Sequence, residues 1–176
     1  MSTPIKPHRS IMEVPKIVGM SILAAVIYGI IHDQITAHVC VEYFTLGHPD
    51  IFGTNNPILL GLGWGVIATW WVGLLLGIPL AIAARVGRRP KLTARDILPN
   101  VVKLMLVCGL LALTAGLLSY ALGHTYPTSI DIDFMRYNAV ARAHEVSYAS
   151  GFIGGIVVCV KITLKRKLII EYGANS

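Results

Sequence analysis

The stretch Ala24-Ala25-Val26-Ile27-Tyr28-Gly29-Ile30-Ile31-His32-Asp33-Gln34 closes the first long apolar run of the chain, residues 17–35. About 20 apolar residues in a helix, rising 1.5 Å each, cross the hydrocarbon core of a bilayer. The run has that length, and Lys6, Arg9 and Lys16 precede it. A basic start followed by an apolar stretch also describes a secretory signal. Here the run ends in His32-Asp33-Gln34, with no small-x-small cleavage site, so it reads as a retained membrane helix. Near its end it carries a tyrosine, a histidine and a carboxylate where a membrane helix is ordinarily apolar.

Three further apolar runs follow, and the bulk composition agrees with them. Hydrophobic residues make up 55% and charged residues 14% of the 176, against about 25% charged in a soluble domain. The mean hydropathy is +0.67. A net charge of +6 would suit a nucleic-acid binder, but the basic residues lie in clusters between the runs and read as topology signals. The aromatics that base stacking needs are mostly inside the runs, so no nucleic-acid partner is expected. The expected partner is the lipid bilayer. Cys40, Cys108 and Cys159 are scattered and form neither a disulfide framework nor a CxxC zinc motif.

The fold class expected is all-α: an integral membrane four-transmembrane-helix bundle, one domain over residues 1–176. Helix one spans about 16–45, since nothing breaks it before Gly47-His48-Pro49. Asn56 caps helix two and Pro57 takes its first position, giving 57–84. Gly61/Gly65 and Gly73/Gly77 offer two small-residue faces there, through which a homo-oligomer or larger membrane complex is expected, and Pro79 is expected to kink the inner end. Trp64, Trp70 and Trp71 lie on this helix, read as packing against lipid or neighbouring helices. Helix three spans 99–122 and closes on Gly123. Helix four spans 129–167, started by Thr128 with Asp131 in a capping-box spacing. Helices one and four then extend beyond the outer membrane face.

Thirteen of the fifteen Lys and Arg residues lie before helix one, around 85–103, or at the end of helix four. The positive-inside rule makes both termini cytoplasmic, as expected of a protein of the bacterial inner (cytoplasmic) membrane. Five of the six histidines, His32, His38, His48, His124 and His144, then fall on the outer half, with six of the nine acids. Charge bias explains the acids but not the histidines.

Counting from Lys16 and Lys161 places His32-Asp33 and His144-Glu145 at one depth, about one turn below the outer boundary. Tyr28 lies four residues below His32, and Tyr148 four residues from His144 on the core side, so each helix carries a tyrosine and a histidine on one face. Imidazole and carboxylate are the donors that bind transition metals, so His32, Asp33, His144 and Glu145 are the candidate metal ligands, with Tyr28 and Tyr148 as supporting partners. His38 and Glu42, four apart, are a weaker pair. Two facing histidines also suit a haem. Three functions stay open on these residues: a metal or cofactor site for redox or hydrolytic chemistry, a proton path or oligomeric transporter or channel subunit, and an assembly protein in which these polar groups only tie helices together. The catalytic residues, substrate and metal identity are not readable from the sequence.

Overall fold

The computed structural model describes residues 12–123 and 133–173, and its described residues are helical with short connections. Helix α1 is Glu13–Val39, α2 is the single turn Glu42–Thr45, α3 is Pro57–Ile67, α4 is Trp70–Arg85, α5 is Ala94–Ala121 and α6 is Phe134–Gly173. Four segments are long and apolar enough to cross a membrane: Glu13–Val39, Pro57–Arg85, Ala94–Ala121 and Phe134–Ile169. The four-helix membrane bundle read from the sequence is therefore the fold.

The bundle is held by two close pairings. In the first, α1 lies along α3 and α4. The glycines of the second crossing accept α1 directly. A Cβ added at Gly65 would stand 2.6 Å from the Ile30 Cα, and one at Gly73 would stand 2.5 Å from the Ile22 Cα. Gly61 meets the Asp33 backbone and Gly77 meets Val18 in the same way. The glycine faces on which an oligomer contact was expected are occupied by α1 of the same chain, because only a bare Cα lets two helix backbones approach so closely. In the second pairing α5 lies along α6. Gly116 sits over Ala139 and Ala143, and Gly154 takes the Leu104 side chain.

At the basic end the two pairs are stapled together. Arg166, on α6, is 3% exposed. Its guanidinium donates to the carbonyls of Ala83, Val86, Arg89 and Pro90. The carbonyls of Ala83 and Val86 belong to the end of α4, where the helix dipole favours a cation. Glu13 accepts from the amide of Ala94 at 3.0 Å and so caps α5 from α1. The main core cluster, including Ile17, Leu80, Ile97, Val101 and Ile162, fills this half. The histidine half holds only a small cluster around Ala37, Phe44 and Leu60.

Four boundaries differ from the sequence reading. Helix one stops at Val39, because Cys40 is extended (φ −152°, ψ 96°) and α2 folds back to bury Phe44 against Ala37 and Leu60. The second crossing is interrupted at Ala68–Thr69 and runs on through Pro79. The Thr69 hydroxyl takes the Gly65 carbonyl, and the Thr69 amide tightens onto Val66 at 3.3 Å, so the regular ladder is lost for one step. Helix α5 begins at Ala94, five residues before the proline read as its start, since Thr93 and Asp96 form a capping box. Gly123, with φ +62°, closes it as expected. Helix α6 reaches Gly173; the Thr128–Asp131 start read from the sequence, and His124, lie outside the described residues. Trp70 and Trp71 face outward, about half exposed, as packing against lipid requires.

Candidate metal centre

Residues 32 and 33 of α1 and 144 of α6 meet at one depth in the histidine half. The nearest ligand atoms of His32, Asp33 and His144 all lie within 4.8 Å of one another. The imidazoles of His32 and His144 stand edge to face, with centroids 4.6 Å apart. Asp33 is 4% and His144 8% exposed. A carboxylate buried at this depth is costly unless something positive or a proton donor faces it.

What faces it is His144. Its Nε2 is 3.2 Å from Asp33 Oδ1, and its Nδ1 is 2.9 Å from the Val140 carbonyl. A carbonyl can only accept, so the Nδ1 position carries the proton. A neutral His144 then turns the Nε2 lone pair toward a carboxylate oxygen, acceptor against acceptor. A proton or a cation between them resolves the conflict. His32 adds a second observation: its Nε2 is buried and has no hydrogen-bond partner among the described residues.

Local structure holds these groups in place. Thr36 bonds back to the His32 carbonyl at 3.0 Å, and Gln34 donates across to the Ile58 carbonyl at 2.8 Å, which fixes the rotation of α1 against α3. Tyr28 stacks under His32 with centroids 5.7 Å apart, and its hydroxyl bonds Ser147 at 2.8 Å, linking α1 to α6 one turn below the site. Above the site α2 acts as a lid. The Tyr43 ring lies 4.5 Å from the His144 ring, with Phe44 at 5.8 Å. Burial pushes the Tyr43 phenol up to about 12 and the Cys40 thiol up to about 11. Tyr43 and Cys40 are thus neutral at physiological pH.

Beneath these three side chains lies a cavity of about 70 Å³, lined among others by Tyr28, Thr69, Ser147 and Tyr148. It has room for at least one small exogenous ligand such as water. Tyr148 is on its far wall and reaches toward the Ala68 carbonyl, at 3.5 Å, where the second crossing is interrupted.

The structure therefore unites His32, Asp33, His144 and Tyr28, and sets Tyr148 nearby. It does not bring in the remaining candidates. Glu145 is turned outward and pairs with Arg142 at 2.5 Å, because the neighbour of an inward-facing helical residue points about 100° away. His38 is exposed and bonds the Gln34 carbonyl at 2.6 Å, while Glu42 lies beyond the turn at Cys40 and accepts from the Cys40 thiol. With the helix broken between them, their four-residue spacing no longer places them on one face. A haem is also disfavoured here: edge-to-face imidazoles at 4.6 Å leave no slot for a porphyrin between them. Sequence reasoning missed Thr69, Tyr43 and the Val140 carbonyl, and set Ser147 aside as a nucleophile without giving it a place beside Tyr28. Ser147 alone carried a signal, three residues from His144 and so on the same face.

The fold and these contacts define an integral membrane protein with four crossings and a buried His/Asp cluster shared by the first and last of them. No family model matches the chain, and comparison with curated proteins and solved structures finds no match either. Its function is therefore argued from this cluster.

Proposed function

We propose that the protein binds one divalent first-row transition metal within the membrane, through the Nε2 atoms of His32 and His144 and a carboxylate oxygen of Asp33. The observation that carries the reading is the Nε2–Oδ1 approach of His144 and Asp33 at 3.2 Å, with Nδ1 already committed to a carbonyl. The buried Nε2 of His32 supplies the third donor. Metal–nitrogen bonds of about 2.0–2.1 Å put ligand atoms at most about 4.2 Å apart, so the 4.8 Å set closes by a small side-chain rotation. Two imidazoles and one carboxylate leave coordination positions open, and the cavity below offers them to water or substrate. Such an ion polarises a bound oxygen, or exchanges electrons if it is redox-active. The same reading keeps the basic end of the bundle in the cytoplasm and the metal near the outer face.

A second reading makes His144 doubly protonated and pairs it with Asp33 as a tie between α1 and α6. It accounts for the same 3.2 Å approach but leaves the buried Nε2 of His32 without a partner among the described residues. Elemental analysis of the purified protein separates the two. The metal reading expects one ion per chain, lost in His32→Ala and His144→Ala and kept in Glu145→Gln. Unmutated protein without a stoichiometric ion overturns it.

A further inference from the structure

The pairs α1–α3/α4 and α5–α6 do not close fully on each other. Between α1 and α5 a trough of about 990 Å³ opens sideways, toward the position of the lipid. Its walls are apolar side chains that face outward, such as Leu23, Ile27, Leu106 and Leu110, and it is floored by small residues such as Ala112 and Gly116. The polar groups that line it, Tyr28, His32, Thr36, His38, Tyr120 and Arg136, all belong to its histidine half. His32 lines both this trough and the internal cavity, so the trough leads from the bilayer to a candidate metal ligand.

We infer that the trough binds a long-chain lipid of the bilayer with a small uncharged oxygen-bearing head, its head at His32 and its tail running toward Met20. The metal-centre reading underlies the head's role, while the tail's seat depends on the trough alone. Three features select this occupant. From His32 to Met20 the trough runs twelve residues of helix, about 18 Å, close to half of a core roughly 30 Å thick. That is the reach of one chain. His32, where the head is placed, stands about one turn below the membrane boundary, where a charged headgroup does not sit without a partner. Arg136, at the mouth above His32, pairs through Nε with Asp133 at 3.1 Å, so its charge is partly balanced within α6. A head with a hydroxyl or carbonyl oxygen needs no charged partner.

The test uses full-length protein in phospholipid nanodiscs, with a tail-diazirine derivative of hexadecanol as the probe. The expected result is photolabelling concentrated on Leu23, Ile27, Leu106 and Leu110, displaced by unlabelled hexadecanol and not by palmitate. Ile27→Trp, which fills the trough from its rim, is expected to lower that labelling several-fold. Leu75→Trp, on an exposed position of α4, leaves it unchanged and controls for folding. Labelling spread equally over Leu75, Phe152 and the trough, or unaffected by Ile27→Trp, overturns the inference. Palmitate competing as well as hexadecanol overturns the uncharged head. Metal content measured on the same nanodiscs keeps the two readings apart. Focused labelling without metal leaves the trough and removes the metal centre, and metal with diffuse labelling does the reverse.

Discussion

The side chains of Asp33 and His144 meet at 3.2 Å although 111 positions separate them, and the other ring nitrogen of His144 is held by the Val140 carbonyl at 2.9 Å. Asp33→Asn is the sharpest test of what this meeting does. It replaces the carboxylate with an amide of nearly the same shape, whose NH2 donates to the Nε2 lone pair. If a metal is bound there, the amide lowers its affinity by at least the roughly 10–100-fold that even outer partners contribute. Metal titration of purified wild-type and variant protein reads the difference. A protein with the tie alone shows no metal in either and at most a modest loss of thermal stability.

The histidine lid makes a prediction about pH. The Cys40 thiol is raised from 9.0 to about 11 and the Tyr43 phenol from 10.0 to about 12, both chiefly by burial. Each folded-state value lies above the unfolded one, so the lid's contribution is complete below pH 9 and is lost as pH rises through 11 and 12. Alkylation of Cys40 by iodoacetamide is therefore expected to be slow at about pH 8 and to accelerate between about pH 9 and 11. Fast alkylation at the lower pH contradicts a buried Cys40.

Gly65→Ala is expected to destabilise the first helix pair by about 1–3 kcal/mol, since the new methyl meets the backbone of Ile30 rather than a side chain that can move. Gly19→Ala has nothing within 4 Å and is expected to be neutral or slightly stabilising. Thermal unfolding in detergent, compared side by side, checks both.

Removing the guanidinium in Arg166→Ala leaves four carbonyls without their donor, at a cost of about 3 kcal/mol. Arg166→Lys does not restore it, because a single ammonium lacks the planar fork that reaches all four. Lys165→Ala, exposed on the same turn, is expected to change little. The readout is again the unfolding midpoint.

The orientation proposed from the basic clusters makes a prediction about sidedness. A cysteine placed at Ile51 is expected to react with a membrane-impermeant maleimide in intact cells, and one at Arg88 only after permeabilisation. The opposite pattern reverses the topology.

The first three crossings were legible in the sequence because each is a long apolar run bounded by polar residues or a capping signal, and the fourth because its apolar stretch ends in the basic cluster from Lys161. The partnership of His32 with His144 was legible too, since counting up from Lys16 and Lys161 needs only the rise of a helix. Which carboxylate joins them was not. Asp33 and Glu145 each follow a histidine, and the choice depends on how far each helix is rotated about its axis, which the glycine contacts of α1 and the Gln34–Ile58 bond decide. The lid was hidden for a similar reason. Cys40 has no breaker character of its own, and the chain turns there to bury Phe44, a contact with residues far along the chain. The start of α5 was a local error: Thr93 and Asp96 were in view, and Pro99 drew the boundary inward.

The close seating of α1 in the glycine notches of the second crossing has a consequence for biogenesis. The contacts that seat the first two crossings against each other lie wholly within residues 13–85, ahead of the last crossing in the order of synthesis. Asp33 and His32 belong to the first crossing, whereas His144 is supplied only by the fourth. The His/Asp cluster is completed by the final insertion event, so a truncated or half-inserted chain holds the first pair of helices yet lacks the site.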